Sequence, residues 1–347
     1  VISIPMAGFF SRPDGTSVSD YDRARRLKHR LLERYRDIPL ETVFCGREEA
    51  TPAGACYVVE SSETLAMEGA DRERARATIL ADLTLVRGIG ERTAARLRQQ
   101  GYRTVTDLTR HPRYGSDAGL LLRQVSSGTT ADLMQSIGRR HQVSHPLVLK
   151  TSRFHDPGDF VFLDIETLGL FSRPVILAGV ALVSGSAITV RQYLLRDIDE
   201  EAAALSATVG HLAAKNACLV TFNGKAFDLP YVQDRLAHHG IAADLGVPHF
   251  DALHFSRRCW KKQVGSCRLT ALERAVFGIE RSDDVPSALV PEFYETYLRT
   301  GNAGPLVPVV EHNRQDLISL ARLFIHLREE WDGSSGTCHG TAALPDR

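Results

Sequence analysis

The segment VFLDIET, residues 161–167, constrains this chain more than any other. Val161, Phe162, Leu163 and Ile165 are apolar, two of them β-branched, and predict a strand. Asp164 and Glu166 fall two apart within it, and side chains at i and i+2 of a strand point to the same face. Two carboxylates there are costly to bury unless something positive sits between them. A divalent cation meets that demand, because Mg2+ takes oxygen ligands and keeps several waters. The pair alone does not decide the matter, since a strand end with two solvated acids has the same sequence.

Two further segments supply acids. In TFNGKAFDLPYV, 221–232, the Asn-Gly pair marks a turn after the strand ACLVTF, and Asp228 then opens a helix. The helix dipole favours a carboxylate at that place, so Asp228 is either a simple N-terminal acid or a third metal-site carboxylate delivered against the sheet. VVEHNRQDLISLARLF, 309–324, reads as an amphipathic helix. His312 and Asp316 are four apart and share a face, as an ordinary surface pair also would. On the functional reading Asp316 is a fourth carboxylate and His312 positions or deprotonates water.

The elements around these segments set the fold class. DFVFLDIE, PVILAGVALV and AITVRQYLL predict adjacent strands, EEAAALSATVGHLAAK a helix, and ACLVTFNG another strand. Such an order indicates an α/β domain with a mixed sheet over residues 148–330. Residues 71–147 are read as a helical region, with Thr104 an N-cap and Gly101 closing a helix. Residues 1–70 are set apart as a region of unknown role. It contains a charged amphipathic helix over 19–37, with Leu27, Leu31 and Leu32 on one face, and a strand at 55–61. The two prolines of 144–159 suggest an extended linker, and residues 331–347 a disordered tail.

Charge is uneven along the chain. Lys and Arg balance Asp and Glu at 42 each overall, yet residues 81–150 carry 11 of the former and 5 of the latter. A basic segment beside an acidic one fits a nucleic-acid grip next to a carboxylate site. No apolar run approaches the roughly 18 residues that cross a bilayer, so no membrane association is expected. The six cysteines include no C-x2-C pair, and with no signal peptide legible at the N-terminus the expectation is a cytoplasmic protein with reduced thiols. There is no G-x-G-x-x-G after a strand, no Walker A segment and no G-x-S-x-G. Dinucleotide, P-loop and nucleophile-elbow chemistries are therefore unsupported.

Taken together, the three acidic segments resemble the DEDD, or DnaQ-like, 3′–5′ exonucleases, which share a ribonuclease H-like fold. The first motif of that family is D-x-E, here Asp164 and Glu166. The second is Asn, a few residues, then Phe/Tyr-Asp, here Asn223, Phe227 and Asp228. The third ends in an aspartate preceded by Tyr or His, here Asp316 and His312. The segments HFDALHFSRRCWKK, SCRLTALERAVFGIERSDDVP, PEFYETYLRTG and EHNRQDLISLA are similar to the YprB-like branch. The likeness covers roughly residues 145–328.

The resemblance implies two divalent cations, Mg2+ or Mn2+. Asp164 would bridge both, Glu166 and Asp316 would complete one site, and Asp228 would act through bound water. Thr167 and Asn223 would hold the substrate, with Phe171 a stacking residue or a packing one. Asp251 would support the site from outside. Arg257, Arg258, Lys261 and Lys262 would contact phosphates or form a solvated helix face. The third motif departs from the better-known subgroups, which have Tyr-x3-Asp or His-x4-Asp. His312 takes the tyrosine spacing, and a one-residue shift turns a helical side chain by about 100°. Its part as general base is therefore open, while the four carboxylates do not depend on it.

LTLVRGIGERTAARLRQQGYRTVTDL, 83–108, resembles a helix-hairpin-helix. Gly88 and Gly90 would let backbone amides approach a phosphate, and Arg92 would add charge. The expected function is a two-metal 3′–5′ exonuclease acting on single strands or 3′ ends, with DNA slightly favoured over RNA. The alternatives are a ribonuclease H-like endonuclease on structured or hybrid duplex, and an inactive nucleic-acid-binding protein. Protein partners are unknown.

Overall fold

The computed structural model describes residues 18–170, 172–281 and 284–333. Helices α1 (Val18–Arg34) and α2 (Leu40–Phe44) lead into strands β1 (Arg47–Thr51) and β2 (Gly54–Thr64). Six helices follow: α3 (Arg72–Leu80), α4 (Glu91–Gln99), α5 (Val105–Leu108), α6 (Gly115–Ser127), α7 (Thr130–Gly138) and α8 (Pro146–Lys150). The chain then alternates through β3 (Phe160–Thr167), β4 (Val175–Ser184), β5 (Ala187–Leu194), α9 (Glu201–Gly210), β6 (Cys218–Thr221), α10 (Asp228–His238) and β7 (His249–Asp251). It closes on α11 (Ala252–Val264), α12 (Leu269–Leu272), α13 (Val290–Thr300) and the long α14 (Val307–Gly333). No helix among the described residues is long and apolar enough to cross a membrane.

The seven strands form one mixed sheet in the order β1-β2-β5-β4-β3-β6-β7. The strand carrying Asp164 and Glu166 lies inside it, antiparallel to β4 and parallel to β6. The alternation of β3 divides two cores. Val161, Leu163 and Ile165 face a core completed by α1, α9, α10 and α13. Phe160 and Phe162 face the other, completed by α11, α14 and the helical region. Asp164 and Glu166 continue the phenylalanine face toward the end of the strand.

Helix α14 crosses that face in a register that the side chains fix. Phe324 meets Phe160 and Phe162 with ring centroids 5.2 and 6.0 Å apart. From Phe162 to Glu166 is about 13 Å of strand, and from Phe324 back to Asp316 is about 12 Å of helix. Aromatic packing at one end therefore sets the acids of the two elements side by side at the other. The close approach requires Gly179 of β4, where an added Cβ would lie 2.2 Å from Asn313 Oδ1 and 2.7 Å from Leu317 Cδ1.

Three sequence expectations change. Residues 1–70 do not stand apart: β2 pairs with β5 from Tyr57↔Leu194 to Thr64↔Ala187, extending the same sheet. On α1, Leu27 and Leu31 are buried as the periodicity indicates, while Leu32 is half-buried. Residues 144–159 are packed rather than extended. His145 caps α8, Pro146 fills its first turn, and Leu147, Val148 and Leu149 are buried. Proline fits there because the first amides of a helix have no intrahelical partner. The presumed tail at 331–347 begins too early, since Trp331 is buried and Asp332 pairs with Lys150 and Arg153. The rest of it, 334–347, lies outside the described residues, as do residues 1–17 where an export signal was sought.

The tight seat of α14 gives a stability test. Gly179→Ala is expected to destabilise the protein by about 1–3 kcal/mol, the usual cost of overpacking. Gly138→Ala, with nothing within 4 Å of the added carbon, serves as its reference in urea unfolding. Equal midpoints for the two variants would refute the packing argument.

Candidate active site

Strand β3 delivers Asp164 and Glu166 to one face, and the surroundings fix the first of them. Asn313 Nδ2 donates to Asp164 Oδ2 at 2.8 Å and to the Asp164 carbonyl at 3.1 Å. The Asn313 Oδ1 accepts from Gln192 Nε2 at 2.9 Å, and the same amide donates to the Val310 carbonyl at 2.8 Å. Gln192, Asn313 and Asp164 thus form a chain from β5 through α14 to β3. Glu166 is 6% exposed.

Asp228 comes from the turn after β6. Asn223 takes φ +68°, and Gly224 packs so closely on Thr221 that a Cβ would lie 2.4 Å from its side chain. Asp251 braces this turn. Its Oδ1 accepts from Asn223 N at 2.8 Å and its Oδ2 from Lys225 N at 3.1 Å. The turn places Asp228 as the first residue of α10, where Oδ1 accepts from Ile165 N at 3.3 Å.

Helix α14 presents His312 and Asp316. His312 Nδ1 lies 2.6 Å from Asp284 Oδ1, which leaves Nε2 facing Asp316 Oδ2 at 3.6 Å and Glu166 Oε1 at 3.8 Å. Asp316 also pairs with Arg281, whose guanidinium donates to buried Glu273 at 2.7 and 2.8 Å. Sequence reasoning missed Gln192, Asn313, Glu273, Arg281 and Asp284. Asn313 sits beside His312 in EHNRQD, and Arg281 and Asp284 lie in ERSDD, but neither segment shows a periodicity that would single them out.

The electrostatics follow from crowding. Burial, then the charges of Asp316, Asp228 and Glu166, hold the Asp164 carboxyl well above the usual range. Burial pushes Glu166 to about 7, with His312 opposing and Asp316 and Asp228 adding to the rise. Burial raises Asp228 to about 7 against the backbone amides that hydrogen-bond it. Burial would lower His312, but the Asp284 hydrogen bond and the charges of Asp316 and Glu166 outweigh it and raise the imidazole to about 10. His312 is therefore a cation at neutral pH.

The donor set is all carboxylate oxygen with one imidazole, which is hard-cation chemistry. The charges raise one another, so the cluster calls for positive charge. Among the described residues, however, no three such side chains stand close enough to hold an ion in their present geometry. Arg281 and His312 are the cations seated among the acids.

The other expected site residues are placed less centrally. The Thr167 hydroxyl donates to the Gly169 carbonyl at 2.9 Å, closing its own turn. Asn223 lines a cleft of about 900 Å³ that opens onto His312 and Asp316. Phe171 lies outside the described residues. Gly88, at φ +81°, and Gly90, the N-cap of α4, belong to the helical region with exposed Arg92.

The raised carboxyls make a pH prediction. A carboxylate whose folded pKa is raised contributes stability below its unfolded pKa and loses it as pH climbs through the folded value. A histidine raised to about 10 acts in the same direction at higher pH. In EDTA, the urea midpoint is expected to fall between about pH 5 and pH 8. Asp164→Asn should flatten that fall, and Mn2+ should restore the wild-type midpoint at the alkaline end. A pH-independent wild-type midpoint would show that the charges do not crowd one another.

Two comparisons place these features. Residues 161–328 match the RNase_H_2 family, described as RNase_H superfamily. The chain is also 33% identical over 196 residues to the uncharacterized protein YprB of Bacillus subtilis (strain 168), a match covering 54% of this chain and 46% of that protein. The chain thus matches less than half the length of that relative. With the mixed sheet, its flanking helices and the acids at the end of β3, these matches make residues 161–328 a domain of the RNase H superfamily.

Proposed function

We propose that the protein is a metal-dependent 3′–5′ exonuclease that hydrolyses phosphodiester bonds of nucleic acid, DNA slightly ahead of RNA. The observation that carries this is the convergence of Asp164, Glu166, Asp228 and Asp316 from three elements. Each of the first three has its carboxyl raised, with Asp316 among the causes. Carboxylates that oppose one another in this way favour bound Mg2+ or Mn2+ over the metal-free state. Asp164, Glu166, Asp228 and Asp316 would hold two such ions. Bound there, the ions supply a nucleophile at neutral pH and stabilise charge on the phosphoryl group.

The residues of the chain do the rest. Asn313 holds the Asp164 carboxylate in one rotamer, so the ligand does not reorganise when substrate arrives. His312 is oriented by Asp284, whose carboxylate meets its Nδ1 at 2.6 Å. Its Nε2 is a donor aimed into the cluster and suited to a phosphoryl oxygen or a leaving 3′-oxygen. Arg281 engages Asp316 through Oδ1 and leaves Oδ2 toward the cluster.

The helical region would grip the strand. Gly90 precedes α4 with no side chain to obstruct a phosphate at the helix N-terminus, and Arg92, Arg96 and Arg98 are exposed without ion-pair partners among the described residues. Its resemblance to a helix-hairpin-helix favours DNA.

The test is degradation of 5′-labelled single-stranded DNA and RNA with Mg2+ or Mn2+. A ladder shortening from the 3′ end is expected, abolished by EDTA and by a blocked 3′ end. Asp164→Ala should cost roughly a hundredfold or more in rate, the scale of losing one electrostatic stabiliser. Asn313→Ala should cost about 10–100-fold, as for a residue that orients a ligand. Retained binding without cleavage under either metal would sink the enzymatic reading, and cleavage of the blocked strand would replace it with an endonuclease.

A further inference from the structure

Four basic residues of α11 divide sharply in the fold. Arg257 and Lys261, one helical turn apart, line the 900 Å³ cleft that opens onto His312 and Asp316. Arg258 and Lys262, on the same helix, do not line it. Arg268 joins the lining from the residue before α12. Arg257, Lys261 and Arg268 are exposed, and none of them has an ion-pair partner among the described residues, although Asp284 and Asp316 line the same cleft. Arg281, beside the acids, is already committed to Glu273 and Asp316.

The wall is also fixed relative to the acids. Asp251 Oδ1 accepts from Leu253 N at 3.1 Å, capping α11, and from Asn223 N in the turn that presents Asp228. One buried carboxylate therefore ties the base of α11 to a candidate metal-site residue. Elsewhere on α11, Phe255 and Trp260 are buried, and Trp260 stacks on His326 of α14 at 5.7 Å.

The geometry points to a phosphate track: Arg257, Lys261 and Arg268 bind phosphodiester groups of the strand whose reacting bond lies at the carboxylates, and they position it there. This rests on the nuclease reading and assigns three positioning residues to it. Unpaired cations beside an acidic cluster suit a ligand that is itself a chain of anions. One phosphate would sit at the acids, and its neighbours would lie along the basic wall. Contacts to phosphate carry no base information, and DNA and RNA present the same phosphodiester chemistry.

The test is binding of short labelled single-stranded DNA and RNA of one sequence by the full chain in EDTA, across a salt series. The combined variant Arg257→Gln, Lys261→Gln, Arg268→Gln is expected to bind about tenfold or more weakly at low salt. Its salt slope should fall by about 2, because each contact to a single strand contributes about 0.7. The loss should be equal for DNA and RNA. The pair Arg258→Gln, Lys262→Gln should bind as wild type. An unchanged slope in the triple variant, an equal loss in the reference pair, or a loss confined to one sugar would overturn the track. Because the readout is binding without metal, absence of hydrolysis by the wild type would fail the nuclease reading separately.

Discussion

Burying negative charge at the end of an apolar strand is the constraint around which the rest of this molecule is arranged. Asp164 and Glu166 lie on the face of β3 that begins with Phe160 and Phe162, so they cannot turn to water without breaking the alternation of the strand. The compensations come from the strand itself, from α14 and from the loop that carries Arg281. The amide of Ile165 meets Asp228, the Asn313 side chain meets Asp164, His312 faces Glu166, and Arg281 meets Asp316. Remove the sheet register or the seat of α14 and these partners separate, leaving buried charge unpaired.

The apolar parts of the fold serve that arrangement at a distance. Phe324 on the β3 phenylalanines sets the translation of α14, and Gly179 sets its depth. The helical region joins the same core, as Ile79, Leu83 and Val125 pack in one cluster with Phe160 and Leu327. A charged surface on that region is thereby carried on the domain that holds the acids. Strands β1 and β2 extend the sheet on the far side of β5, away from the carboxylates.

What the sequence revealed follows from where its signals are local. The alternation in VFLDIET, the turn before Asp228 and the helical spacing of His312 and Asp316 are short-range patterns, and each places its acid on the correct element. Pairing across the chain is not local. Nothing near Tyr57 announces that β2 continues the sheet beside β5, more than a hundred residues later. Asp284 and Arg281 sit in a segment without helical or strand period, and only the third dimension brings them to His312 and Asp316. Asn313 was hidden differently: it lies inside a recognised motif, but its partner Gln192 is on β5. The two prolines of 144–159 misled because a proline that opens a short helix and one that interrupts a chain look alike in sequence.

The count of charges around the cluster bears on what it is built to hold. Asp164, Glu166, Asp228 and Asp316, with Asp284 and Glu273 behind them, are six carboxylates. Arg281 and protonated His312 answer two. The remaining carboxylates of that set have no further cation of the chain against them among the described residues. Burial first, and then their mutual charge, hold the carboxyls of Asp164, Glu166 and Asp228 above the usual range. A tyrosine at position 312 would remove the imidazole that meets Asp284 at 2.6 Å and leave that carboxylate only Arg281, at 3.8 Å. The histidine at that spacing and the aspartate behind it therefore form one unit.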